Sequence, residues 1–199
     1  MPFQIKGCFA DGLKIERLYE LTPESFKDSR GYMIESYNEK EFFDSGLTMS
    51  FVQDNQSLSV KGVLRGLHFQ KHHPQGKLVR VVSGKIFDVA VDLRNDSKTF
   101  GKAFTTILDS DIQNQMYIPC GFAHGFYVLS DTAICAYKSS DFYYPGDEGG
   151  IIWNDPKLAI DWPFELKEAN PILSEKDKQL EIFDPSAPYF GMDGKWLQN

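Results

Sequence analysis

The chain is poor in the residues on which several common chemistries depend. Only three cysteines, Cys8, Cys120 and Cys135, occur among its 199 residues. Their number is odd and their spacing fits no framework, so neither a disulfide scaffold nor a cysteine-based zinc cluster is expected. The Gly-x-Ser-x-Gly elbow of serine hydrolases is missing, as are both common glycine-rich phosphate loops. No apolar run approaches membrane-spanning length, and residues 1–6 lack the apolar stretch of a signal peptide, so a cytoplasmic protein is expected. Basic charge is not in excess either: 21 lysines and arginines face 28 acidic residues, a formal charge of −7. That balance argues against general attraction to nucleic acid or to an anionic membrane, while leaving room for a local basic patch holding a small phosphorylated ligand.

What the chain does have is alternation. In residues 85–93, Phe87, Val89, Val91 and Leu93 fall on one face and Asp88 and Asp92 on the other, the pattern of a half-buried strand. Ser83-Gly84 marks a turn before it, preceded by another strand at 78–82. Further strands are expected at 12–19, 31–36, 51–59, 103–108, 115–118, 125–128, 133–137 and 150–152, with a helical turn or two only at 39–44 and 174–180. Aromatic residues (14%) and a 42% hydrophobic fraction suffice for an ordinary core. Many short strands between Gly, Pro and Asn/Asp turns predict one all-β domain spanning 1–199, a double-sheet jelly roll with a cavity between its sheets. A C-terminal extension from about residue 184, rich in Pro, Gly and aromatics, reads equally as a segment packing on a partner subunit or as loosely ordered chain.

The four histidines lie in two islands, 65–73 and 119–125. Histidine is the usual proton carrier near neutral pH and a common metal ligand. Pro119-x-Gly121-x-x-His124 is similar to the second signature of the cupin jelly rolls, but the first, His-x-His followed by Glu, is not matched. His68 is followed by Phe69 and Gln70, and the neighbours His72 and His73 sit in a turn beside Pro74. A first-row metal would then lack its ligand cluster, and no metal is expected. The islands and the residues following them do carry the equipment for enolising a carbonyl compound: a base (His68), a cation for the developing oxyanion (Lys77) and an acid (Tyr137). Singly, each also reads as an ordinary residue: a hydrogen-bonded core histidine, a surface lysine, a barrel-lining tyrosine. The company of Arg65, Gln53 and Asn55 tips the balance toward a site.

Longer blocks carry a family resemblance. Phe51-Val52-Gln53-Asp54-Asn55-Gln56-Ser57, Gly62-Val63-Leu64-Arg65-Gly66-Leu67-His68-Phe69-Gln70, Gln75-Gly76-Lys77-Leu78-Val79-Arg80, Phe87-Asp88-Val89-Ala90-Val91-Asp92, Pro119-x-Gly121-Phe122-Ala123-His124-Gly125-Phe126 and Trp153-Asn154-Asp155 resemble, in order, the dTDP-4-dehydrorhamnose 3,5-epimerases. The resemblance runs from about Asp28 to Asp177. It implies a jelly-roll homodimer without metal or cofactor, acting on the nucleotide sugar dTDP-4-dehydro-6-deoxy-D-glucose. By motif position it makes His68 the proton acceptor, Tyr137 the donor, Lys77 the enolate partner and Asp177 the residue orienting His68. The bare sequence around Ser174 and Asp177 reads instead as a helix N-cap pattern. The resemblance further implies substrate contacts from Arg30, Glu35, Gln53, Asp54, Asn55, Arg65, His124, Glu148 and Lys176. Arg30 and Arg65 suit the two phosphates, since guanidinium binds phosphate oxygens in pairs. Phe26 and Tyr143 offer an aromatic surface for a pyrimidine. Phe142 stands where a tyrosine is common, and the 71–75 loop is about a residue short, which bears on substrate identity. Alternatives kept open are inversion at C3 only, a different nucleotide-linked 4-keto sugar, and a non-catalytic cupin that binds a sugar nucleotide.

Overall fold

The structure is a computed structural model, and residues 3–163 and 170–197 are described. The expected all-β architecture is present. Thirteen strands run through the described residues: β1 (Phe3–Ala10), β2 (Leu13–Pro23), β3 (Ser25–Asp28), β4 (Gly31–Ile34), β5 (Gln53–Val60), β6 (Leu64–Gln70), β7 (Lys77–Ser83), β8 (Lys85–Asp92), β9 (Ala103–Asp109), β10 (Gln115–Ile118), β11 (Phe122–Val128), β12 (Thr132–Ser139) and β13 (Glu148–Gly150). One helix, α1 (Glu39–Asp44), falls where the sequence puts it, started by the Asn38 side chain accepting from the Glu41 amide. The expected helical stretch at 174–180 is a single 3₁₀ turn, Asp177–Gln179.

The strands form two antiparallel sheets, one ordered β1-β2-β10-β7-β12-β5 and the other β13-β6-β11-β8-β9, while β3 and β4 make a separate hairpin. Their inner faces meet in a core of Ile15, Val79, Val81, Ile86, Ala90, Leu108, Met116, Phe126 and Val128. Each sheet is also covered on its outer face. Phe42 of α1 and Leu47 pack with Phe3, Leu21, Leu78 and Tyr117 behind the six-stranded sheet. Behind the five-stranded sheet, Leu64, Leu67, Phe69, Val89, Val91 and Leu93 pack with Trp162, Phe183, Tyr189 and Phe190.

This second layer corrects one expectation and bears on another. The β8 strand is buried on both faces, because Asp88 and Asp92 point into the sandwich interior and both are fully buried. Burying a carboxylate demands partners. Asp92 takes two hydrogen bonds from the Arg94 guanidinium, at 2.8 and 2.7 Å, and two from the Ser97 and Thr99 hydroxyls. Over its described length the C-terminal segment is packed on its own chain. The Phe190 amide donates to the Leu93 carbonyl, the Asn95 amide to the Phe190 carbonyl, and Trp196 lies stacked on Phe69 at 5.8 Å.

Strands β1, β3 and β6 escape the period-two reading. In β6 the cause is a bulge. Against β11, His124 pairs with His68 but Phe126 pairs with Arg65, so three residues of β6 span two of its partner. Alternation is broken at Gly66, and Arg65 and His68, three apart, both line the cavity between the sheets. Only glycine fits there: Gly66 has φ +124, and a Cβ on it would lie 2.5 Å from the Cα of Gly125.

Candidate active site

A cavity of about 260 Å³ opens between the sheets, lined among others by Arg65, His68, Lys77, His124, Tyr137 and Asp177. Its two walls carry different groups. The five-stranded sheet supplies Arg65 and His68 from β6, His124 from β11 and Glu148 from β13, whereas the six-stranded sheet supplies Lys77 from β7, Tyr137 from β12 and Ser57 from β5. The imidazole of His68 and the phenol of Tyr137 therefore enter one volume from opposite sides.

His68 Nε2 lies 2.5 Å from Asp177 Oδ1. Asp177 is buried, while His68 stays about one-third exposed toward the cavity. Burial pushes the Asp177 carboxyl up, but the hydrogen bond and charge of His68, Ser174 and the nearby Lys176 outweigh it and hold the group below the usual carboxylate range. Two contacts meet in this segment. The Ser174 hydroxyl accepts from the Asp177 amide at 3.1 Å, while the Asp177 carboxylate meets His68.

On the opposite wall the Lys77 ammonium stands 5.9 Å from the centre of the Tyr137 ring. Desolvation drives the Lys77 pKa down to about 8, with the charge of Asp88 opposing the fall. Burial raises the Tyr137 phenol above its ordinary value, the nearby Cys135 adding to the rise and the charge of Arg65 opposing it. The two groups are thus poised as a cation and a protonated phenol near neutral pH.

Several of the other polar groups are tied down. His124 Nε2 lies 3.0 and 3.1 Å from the two oxygens of the fully buried Asp88. Arg65 Nε donates to Ser59 Oγ at 3.1 Å. Glu148 takes the Tyr143 hydroxyl at 3.0 Å and pairs with Lys176. At the rim, Gln53 Nε2 donates to Asn55 Oδ1 at 2.8 Å, and its carbonyl oxygen accepts from the Tyr143 amide at 3.0 Å.

Seven predicted site residues do not line this cavity within the chain: Gln53, Asn55 and Tyr143 connect to it through Glu148 and one another, and four stand farther off. Asp54 is on the outer face of β5, paired with Lys138 at 2.9 Å. Phe26 is exposed on β3, Arg30 is clasped by Asp28 at 2.5 Å in the hairpin turn, and Glu35 accepts from Asn38. His72 and His73 are also elsewhere: His72 meets Asp147 at 2.8 Å and His73 stacks on Tyr144 at 3.7 Å. Among the described residues, no group of three or more histidine, cysteine or carboxylate side chains is arranged to hold a metal. Sequence reasoning gives no role to Asp88, although its place on the polar side of β8 is visible, and none to Ser57, which nothing in the pattern singles out.

A two-sheet β sandwich with a histidine–carboxylate pair facing a tyrosine and a lysine across one cavity defines a cupin-like jelly-roll enzyme of the acid–base type. The sequence model of the dTDP-4-dehydrorhamnose 3,5-epimerases matches residues 12–184, and the chain belongs to that family of isomerases. It is 52% identical over 158 residues to a dTDP-4-dehydrorhamnose 3,5-epimerase of Methanothermobacter thermautotrophicus, a match covering 79% of this chain and 85% of that one. The crystal structure of a dTDP-6-deoxy-D-glucose-3,5-epimerase from Legionella pneumophila, solved with dTDP-4-keto-L-rhamnose, superposes with a TM-score of 0.83 at 45% identity over 90% of this chain and 92% of that one. A dTDP-4-dehydrorhamnose 3-epimerase of Streptomyces niveus is 42% identical over 168 residues, covering 83% of this chain and 79% of its own length.

Proposed function

We propose that the chain inverts both C3 and C5 of dTDP-4-dehydro-6-deoxy-D-glucose, giving dTDP-4-dehydro-L-rhamnose. The reading is carried by one observation, the approach of His68 and Tyr137 from opposite sheets to a single cavity with Lys77 beside the tyrosine. The C4 ketone acidifies the hydrogens on its two neighbouring carbons. His68 takes one of them, and the C–H electron pair moves into the carbonyl to leave an enolate. The Lys77 ammonium donates to that oxygen as its charge develops, and the Tyr137 hydroxyl returns a proton to the other face of the same carbon. A lone base on one face would return the proton where it found it, so inversion calls for two groups on opposite walls. Asp177 keeps His68 in the tautomer and orientation for abstraction and stabilises the imidazolium formed. Imidazolium and phenolate then exchange protons with solvent before the second centre reacts.

Substrate holding follows the same charges. Arg65 suits a phosphate, His124 and the Glu148–Lys176 pair bound the sugar, and Tyr143 with Gln53 and Asn55 frames the base at the rim. The hairpin of β3 and β4 supports a homodimer. A two-stranded hairpin is marginal alone, and this one exposes Phe26 (54%), Tyr32 (55%) and Met33 (69%). In the dimer it delivers Phe26, Arg30 and Glu35 to the nucleotide end of the neighbouring cavity, with Asp54 at the junction. Inversion at C3 alone is the second reading, favoured by the Streptomyces relative.

Incubation of the 4-keto sugar nucleotide in deuterated water separates these. Label at C3 and C5 with inverted configuration is expected, abolished by His68→Asn. The Tyr137→Phe variant is expected to exchange label while inverting little. Label at C3 alone selects the second reading, and no label at either carbon defeats both.

A further inference from the structure

Two buried side-chain polar atoms among the described residues have no hydrogen-bond partner: Ser57 Oγ and Gln115 Oε1. Gln115 lines a separate cavity outside the six-stranded sheet, and Ser57 lines the one that holds His68 and Tyr137. Three of the polar groups that share its cavity are committed elsewhere: Arg65 to Ser59, His124 to Asp88, Glu148 to Lys176 and Tyr143. Its cross-strand neighbour on β12 is Cys135, a poor partner. A buried hydroxyl kept without a partner is a fixed donor and acceptor waiting for a ligand group of the same kind.

Register says which group. Along β5, Ser57 is two residues from Ser59, the residue that holds Arg65. Across the pair, Ser57 faces Cys135 and Asn55 faces Tyr137, so Ser57 is the diagonal neighbour of the proton donor on the same sheet face. Ser57 thus stands between a phosphate-holding cation and the group that reprotonates the sugar. In a hexose joined to a diphosphate through C1 and reacting at C3, the atom between those two is C2. We propose that Ser57 hydrogen-bonds the sugar's C2 hydroxyl and makes that hydroxyl a requirement for efficient turnover, an inference that rests on the epimerase reading above. The C2 centre keeps its configuration throughout, so this bond persists while C3 and C5 invert, holding the ring in register as its other substituents exchange faces.

The test pairs a substitution with a substrate change. With the natural 4-keto sugar nucleotide, Ser57→Ala is expected to lower kcat/KM about tenfold, the scale of one neutral hydrogen bond. With the 2-deoxy analogue, wild type and Ser57→Ala are expected to be equal, both near the level of the variant on the natural sugar. Ser57→Cys, which keeps the volume and weakens the bond, is expected to follow Ser57→Ala. Equal losses on both sugars, or no loss on either, would overturn the assignment while leaving the epimerase standing. Absence of any deuterium exchange by the wild-type protein would instead overturn the epimerase reading and this inference together.

Discussion

Replacing Lys77 by Met separates catalysis from stability, because the two should move in opposite directions. In the fold the Lys77 pKa falls from 10.5 to about 8 through desolvation, only partly offset by Asp88. A base whose folded pKa is depressed binds fewer protons in the native state than in the unfolded chain between those two values. Stability therefore rises with pH across that window, and the cost is fully present below it. At about 1.4 kcal/mol per decade, the charged amine destabilises the fold by about 3 kcal/mol at pH 7 and by about 1 kcal/mol at pH 10. A methionine of similar length removes that cost and fills the same space. Urea titrations should show the variant more stable than wild type by about 2–3 kcal/mol at pH 7, with the gain shrinking toward pH 10.

Activity should go the other way. Loss of one donor to a developing oxyanion costs about 3–4 kcal/mol of barrier, which slows the chemical step by roughly a hundred- to a thousandfold. Deuterium exchange at C3 and C5 in a single-turnover experiment reads this without interference from product release. If Lys77→Met is destabilised at pH 7, or is stabilised equally at pH 7 and pH 10, desolvation is not what sets the lysine's pKa. If its exchange rate is within threefold of wild type, Lys77 does not meet the enolate.

Three further outcomes are expected. Gly66→Ala puts a Cβ within 2.5 Å of the Gly125 backbone at a φ of +124, so it should cost more than about 3 kcal/mol; a variant as stable as wild type in urea would remove the bulge from the account. Asp177→Asn keeps the shape but not the charge facing His68, and should slow turnover at least about a hundredfold with a melting shift of only a few degrees, a result refuted by unaltered turnover. The kcat/KM profile of the wild-type protein should fall above about pH 8 as Lys77 loses its proton, and Lys77→Arg should lack that limb up to pH 10; a shared limb would assign it to another group.

How much of the fold is legible in the sequence follows from how strictly each element obeys a period. Helix α1 and strand β10 fall on the residues where the sequence puts them. Strand β6 is invisible as a strand although it carries His68, since its bulge spoils the alternation that a strand is recognised by. The irregularity that hides the strand is the same one that turns both Arg65 and His68 to the cavity. For β8 the alternation reads correctly and its meaning does not. A sheet face bearing aspartates looks solvated until a buried partner is found, an arginine two residues along for Asp92 and a histidine on the next strand for Asp88.

The covering layers explain how such an interior is tolerated. A sandwich usually draws its stability from the apolar space between its sheets, and here part of that space holds Lys77, Asp88, His124 and Arg65. Apolar packing is moved outward instead, to Phe42 and Leu47 behind one sheet and Trp162, Phe183 and Phe190 behind the other. The second cover does more than insulate. Asp177 comes from the segment between strand β13 and the outer aromatic residues, and that segment is stitched to the sheet where Ile151 pairs with Glu181 and Val63 with Ile172. The histidine belongs to the sheet and the carboxylate to its cover, so the proposed base is complete only when the two layers are docked.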